Sequence, residues 1–352
     1  MKIQNIKRQT VVLSLSFLLI ACGAGTDDET ESNESVTPTE NQENENEPEN
    51  ETEAETSGPV DITYEAYTSS NPDCAEHVGE FYSSDVIDVN NSTTFDGEVV
   101  IESSESDCTL ISNGIPNHDF NDSETGSFAH EVIETSYNVT LDRSPETAAT
   151  VTAFKNGEDE GIMLNGVPIA ILTSTCWDDD CEWRENPFYG PKSRSIDSNH
   201  AHSNSNGEYH YHGNPKDLYD SSGLSESAVV GYAADGFPIY GPYFLDSSTD
   251  SIREVTSSYV LQTGDRPGDG TEGSAGPGGT YTGEWREDYV YTQGEGDLDE
   301  CNGMELNGQY AYYVTTTFPY LLSCFKGTPN DSFSESDSSA RLISKEHTHP
   351  HN

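Results

Sequence analysis

The stretch "NSNGEYHYHGNP", residues 204–215, places two imidazoles two residues apart and interleaves them with two phenols. On a strand, alternate side chains share a face, so His210 and His212 project together while Tyr209 and Tyr211 occupy the other side. Two imidazoles offered from one strand face can hold one metal ion. The third ligand comes from His202, in "SIDSNHAHSNSNGEYHYHG", if that segment folds back as the partner strand through the Asn/Ser/Gly turn. Neutral imidazoles suit copper, zinc, nickel or iron better than calcium. His200 lies on the same face as His202 if the segment is extended, which makes it a candidate fourth ligand. Asp197 and Glu208 are candidates to orient the rings from behind. The competing reading is a polar hairpin whose histidines meet only water and backbone carbonyls.

Other segments offer chemistry with less convergence. Asp235, in "GYAADGFPIYGPYF", sits between an apolar run and a turn, where burial beside Phe237 and Tyr240 would perturb its carboxyl group. With Tyr211 it is the candidate acid, base or redox partner if the histidines serve a reaction. "GEGDLDECNG" gathers Asp297, Asp299 and Asn302 and resembles a calcium loop in composition, but Cys301 occupies the fifth position of the register. Calcium is therefore a weak expectation. "HTHPHN" at the end carries His347, His349 and His351 with nothing to fix their geometry, so any metal there is adventitious. "CWDDDCEW" reads as an acidic loop closed by Cys176 and Cys181, its tryptophans packed under the bridge. There is no GxSxG elbow, and the Gly-rich "RPGDGTEGSAGPGGTYTG" lacks the lysine of a phosphate cradle.

The elements that must position these residues read as strands. Short runs such as "GEVVIES", "GIMLNGVPIAILTS" and "REDYVYTQ" are rich in valine, isoleucine, threonine and tyrosine, and are broken by Gly, Asn, Pro and Ser. The expectation is a single, mainly β, disulfide-containing domain with long loops. Ahead of it, Lys2, Lys7 and Arg8, the apolar run Val11 to Ile20 and the small residues around Cys22 form a secretory signal, residues 1–21, too short to span a membrane. "LIAC" resembles the lipobox of bacterial lipoproteins, which makes Cys22 the lipidated residue and the lipid anchor the chain's contact with a membrane. Gly23 is compatible with sorting to an outer membrane, so the expected place is the cell envelope. Residues 22–58 are an acidic, disordered linker with almost no aliphatic side chain, residues 59–111 a β-rich portion, and residues 330–352 a flexible tail. Setting Cys22 aside leaves Cys74, Cys108, Cys176, Cys181, Cys301 and Cys324, an even set suited to disulfides in an oxidising compartment. Six cysteines permit about 15 pairings; pairing of sequence neighbours is the expectation. A net charge of −49 repels nucleic acid and acidic lipid surfaces, though such acidity also suits a salty habitat.

Six segments together resemble the YHYH family of secreted proteins: "SNGIPNHDF", "EGIMLNGVPI", "DSNHAHSNSNGEYHYHGNP", "VVGYAADGFPIYGPY", "YTGEWREDYVYTQGEGDLDECNG" and "YAYYVTTTFPYLLSCFKGTP". They cover roughly residues 112 to 329. The signature tetrapeptide falls on Tyr209, His210, Tyr211 and His212, and the preceding motif histidine on His202. Asp197, Asp235, Asp297, Asp299 and Asn302 also fall on motif positions. Members often carry a Cys-Gly pair ahead of the first histidine; Asn199, His200 and Ala201 stand there instead, so the resemblance lends His200 no support. The family takes its name from a motif and brings no reaction with it.

The sequence thus leads to a lipid-anchored envelope protein whose histidines bind copper or zinc as a binding or handling module. A metalloenzyme, hydrolase or oxidase, with an open coordination position is the alternative. A surface adhesion or scaffold protein with no metal role is a third. A protein or carbohydrate partner is not specified by any motif.

Overall fold

The computed structural model describes residues 58–334, except 125, 180, 191–195 and 307. The signal segment, Cys22, almost all of the acidic linker and the tail histidines lie outside the described residues. Within them the chain is mainly β, with four short 3-10 turns and no α-helix.

A first sheet is built from β1 (Val60–Asp61), β2 (Gly79–Asp88), β3 (Thr93–Ser103), β4 (Asp107–Ser112) and β5 (Tyr137–Asp142), paired in that order. Strands β3, β4 and β5 alternate as one-sided burial demands. Val99 and Ile101, then Cys108 and Leu110, then Tyr137, Val139 and Leu141 turn inward, and polar residues fill the intervening positions. The Cys74–Cys108 disulfide ties the 3-10 turn before β2 to β4.

A second, eight-stranded sheet uses β6 (Gly161–Met163), β7 (Pro168–Ile169), β8 (Ala201–Ser203), β9 (Tyr209–Tyr211), β10 (Val229–Ala233), β11 (Pro238–Tyr240), β16 (Gly303–Leu306) and β17 (Gln309–Tyr313). Their order is β16-β17-β11-β10-β6-β7-β9-β8. Pairing is antiparallel except for β7 with β9 and β11 with β17. β10 lies near the middle and every one of its residues is buried, so "VVGYA" reads as a continuous small and apolar run with no alternation. Two separate ribbons, β12 (Tyr243–Asp246) with β13 (Ser251–Glu254) and β14 (Tyr259–Leu261) with β15 (Tyr289–Tyr291), complete the strands.

Both sheets feed one core. Val99, Leu110 and Tyr137 of the first cluster with Ile162, Ile169, Tyr209, Tyr211 and Val230 of the second. The β6–β7 turn is pressed against the first sheet: Gly166 has φ 80°, and a Cβ there would meet the Ser112 side chain at 2.4 Å, so glycine is required on both counts. Ser112 donates to the Gly166 carbonyl at 2.6 Å, fixing that contact. Cys176–Cys181 and Cys301–Cys324 are the remaining disulfides, and all three bridges join sequence neighbours. Trp183 is buried beside the short bridge.

Candidate metal centre

The site stands on the hairpin of β8 and β9. Ala201 faces Tyr211, His202 faces His210 and Ser203 faces Tyr209. The turn closes on Asn204, whose backbone carbonyl accepts from Gly207 N at 3.0 Å and whose side-chain carbonyl accepts from the backbone of Asn206 (2.8 Å) and Glu208 (3.2 Å). Gly207 has φ 83°, and a Cβ would stand 2.9 Å from the Glu131 carbonyl. Register is therefore set by local turn chemistry, and register puts His202 directly opposite His210.

Underneath, the tyrosines anchor the strand. Tyr209 donates to Asp197 Oδ2 at 2.7 Å, and the Tyr211 hydroxyl lies 2.7 Å from His118 Nε2 and accepts from Asn165 at 3.0 Å. Both rings are fully buried between the sheets, each stabilising by about 1.5–3 kcal/mol. That anchoring leaves the opposite face of β9 to the histidines.

There the three rings form a nearly equilateral triangle, with centroids 4.8 Å (His202–His210), 4.9 Å (His202–His212) and 4.8 Å (His210–His212) apart. Their Nε2 atoms point inward: His212 to His202 is 3.0 Å and His210 to His212 is 3.2 Å. Nitrogens held at ~2.0–2.1 Å around a tetrahedral ion stand about 3.3 Å apart, so the set fits one ion with little movement. His210 Nδ1 donates to the Glu208 carbonyl at 3.0 Å, which makes its Nε2 the acceptor nitrogen that faces the centre. His210 and His212 are buried and His202 is half-buried on the edge strand, so the group opens toward solvent on one side. Burial lowers the pKa of His210. His212 is driven well below the usual histidine range by burial, with the neighbouring rings of His210 and His202 adding to it. Both effects favour the neutral, ligating form. These three are the one group of histidine, cysteine and carboxylate side chains around this hairpin that converges in this way among the described residues.

The other expected residues are placed elsewhere. His200 adopts φ 58°, which breaks the extended run on which its alignment with His202 depends. Its ring packs 4.3 Å from Phe188 and 5.4 Å from Tyr320, its Nδ1 accepts from Asn214 N at 3.1 Å, and burial pushes its pKa down to about 4. Asp197 is a buried turn carboxylate accepting from Asn199 N and Ala201 N as well as Tyr209; desolvation raises it to about 6. Tyr211 points away from the rings into the core. Asp235, in the β10–β11 turn, accepts from the Tyr312 hydroxyl at 2.6 Å and Gly327 N at 2.8 Å, and β6 and β7 intervene between its strand and β9. Its burial raises its pKa, with Oδ1 left without a hydrogen bond. The acidic loop does not converge. Asp297 is paired with Arg253, Asp299 with Lys326 and Tyr310, and Asn302 donates to the carbonyls of Tyr313 and Leu321. Each of the three is held by structural partners, which leaves the loop without a calcium cage.

Two residues near the triad carry signals that sequence reading missed. Glu160 is buried, its Oε2 accepting from Ile171 N at 2.6 Å, and desolvation lifts its pKa to about 8. Arg286 places its guanidinium 5.2 Å from the centroid of Phe318, and burial lowers its pKa. Both lie in quoted stretches, "EGIMLNGVPI" and "EWREDY", without any spacing that marks them.

A family model described as YHYH protein matches residues 137–327, more than half of the chain. The chain belongs to the YHYH protein family. The match begins on β5, the strand that closes the first sheet, and takes in the histidine triad, Glu160 and Arg286. No curated protein and no solved structure matches the chain.

Proposed function

We propose that this YHYH protein binds one copper or zinc ion through His202, His210 and His212 and serves as a metal-binding or metal-handling module of the cell envelope, tethered to a membrane through a lipid on Cys22. The observation that carries the reading is the convergence of three Nε2 atoms, two of their separations being 3.0 and 3.2 Å, from two buried rings and one half-buried ring on a hairpin whose register the turn dictates. Three imidazole nitrogens aimed at one point form a ligand set that a single ion at their centre engages together. All-imidazole ligation favours copper and zinc among biological cations. The lipobox-like "LIAC" and the acidic stretch after it support the anchored location.

A second reading has support in the ligand count. Three protein ligands with a remaining open position is the pattern of catalytic zinc sites, whereas closed four-ligand shells are structural. A metalloenzyme, hydrolase or oxidase, would use the same triad with a water or substrate in that position. Metal analysis after dialysis against copper or zinc tests the common element: one equivalent bound by the wild type and lost in His210→Ala supports it. Exchange of the bound water, followed by relaxation of solvent protons in the copper form, separates an open site from a closed one.

A further inference from the structure

Arg286 begins the 3-10 turn Arg286–Asp288, and its backbone N donates to the Arg184 carbonyl at 2.8 Å. The chain has 64 acidic residues against 15 basic ones, so nearly every cation has carboxylates to choose from. Arg143 pairs with Asp73, Arg253 with Asp246 and Asp297, and Arg266 with Asp288. Arg184 donates to the Thr173 carbonyl and to Asn156. Arg286 is different: among the described residues its guanidinium makes no hydrogen bond and no ion pair, and its one contact of note is the face of Phe318. The acids whose charge reaches it, Glu287 and Glu160, do not come within ion-pair distance, and burial lifts the pKa of Glu160 to about 8.

Two routes connect Arg286 to the histidines, one from its guanidinium and one from its backbone. Phe318 packs toward Tyr320, Tyr320 against His200, and the His200 carbonyl accepts from His212 N at 2.9 Å. On the other side Arg184 joins Arg286 to Thr173, two residues beyond Ile171, whose backbone lies against the His212 ring. Three neutral imidazoles leave the whole charge of a divalent ion uncompensated, and no carboxylate joins them in the ligand group. An ion there and an unpaired guanidinium nearby make one electropositive spot in a strongly acidic protein.

We propose that Arg286 recognises an oxyanion, the carboxylate or phosphate group of a small ligand, whose other contact is the ion on His202, His210 and His212. The guanidinium, 5.2 Å from the Phe318 centroid and with no hydrogen-bond partner among the described residues, keeps its planar fork of donors for bidentate capture of such a group. The inference rests on the metal-site reading for the second contact only.

Isothermal titration of inorganic phosphate and of acetate into the full chain, loaded with one equivalent of zinc and separately metal-free, tests it. Arg286→Met keeps the apolar stem over Phe318 and removes the donors; Arg286→Lys keeps the charge without the fork. The expected result is tighter anion binding by the zinc form than by the metal-free form, at least about a tenfold loss in Arg286→Met and a smaller loss in Arg286→Lys, with zinc stoichiometry and thermal unfolding unchanged. Preference for phosphate or for acetate tells which group the ligand carries. Equal affinities of wild type and Arg286→Met, or no binding of either anion by the wild type at up to about 50 mM, overturns it. If the chain takes up no zinc, the metal reading falls, and the metal-free comparison still decides the part played by Arg286: a tenfold loss in Arg286→Met supports it and no loss overturns it.

Discussion

Replacing Glu160 by glutamine should remove a pH dependence of stability that this one carboxyl group creates. Glu160 leads into β6; its backbone N donates to the Ile169 carbonyl, its carbonyl accepts from Ala234 N, and its side chain accepts from Ile171 N at 2.6 Å. Its Oε1 is buried without a hydrogen bond. Desolvation raises its pKa from 4.5 to about 8. In the unfolded chain the group loses its proton near pH 4.5, while in the native protein it keeps the proton to about pH 8. Between those limits the native state binds more protons, so the stability it supports is complete below pH 4.5 and declines as pH rises to about 8. A displacement of about 3.5 pH units at ~1.36 kcal/mol each gives a loss of order 5 kcal/mol across the window. In Glu160→Gln the amide accepts the Ile171 bond, and its NH2 finds no acceptor where Oε1 stood. A constant offset of about 1–3 kcal/mol is therefore expected, but no slope from this site. Urea unfolding of both proteins in EDTA at pH 5, 6.5 and 8 measures the difference. Asp197 and Asp235, whose pKa values are also raised, contribute equally to both and cancel. The wild type should lose several kcal/mol relative to the variant between pH 5 and 8; a difference that stays constant with pH refutes the assignment of a protonated Glu160.

Two further outcomes follow from the fold. Gly207→Ala must accept a positive φ with its Cβ 2.9 Å from the Glu131 carbonyl, so it should cost about 1–3 kcal/mol and weaken metal binding through the loosened hairpin; unchanged metal affinity would show that the turn does not set the ligands. Opening the disulfides singly by Cys→Ser pairs should destabilise in the order of loop length: about 3.8 kcal/mol for Cys74–Cys108 (34 residues apart), about 3.4 for Cys301–Cys324 (23) and about 2 for Cys176–Cys181 (5) in urea unfolding, and a reversed order would place the effect in native packing.

The hairpin was legible in the sequence because everything that builds it is local. Alternation along residues 209–212 and an Asn/Ser/Gly turn specify which face His210 and His212 share and where His202 returns. The same locality explains the neighbour pairing of the cysteines. His200 eluded that reasoning since one left-handed residue reverses the direction of the side chain, and nothing in "SNHAH" announces it. The acidic loop gathers carboxylates by composition, but Asp297 and Asp299, close in sequence, are each paired with a cation from a distant segment, Arg253 and Lys326, which the sequence does not announce. Glu160 and Arg286 acquire their character only from burial and from the absence of partners. Those are properties of the folded sheets, with no periodicity to reveal them.

The most direct test of the central claim is metal content by plasma mass spectrometry after copper or zinc loading and exhaustive dialysis, in a full chain whose tail residues His347, His349 and His351 are replaced by alanine. The account predicts one equivalent in the protein with the triad intact and less than about a tenth of that in His210→Ala and His212→Ala, both still folded. One equivalent persisting in those variants, or none in the intact protein, would contradict it.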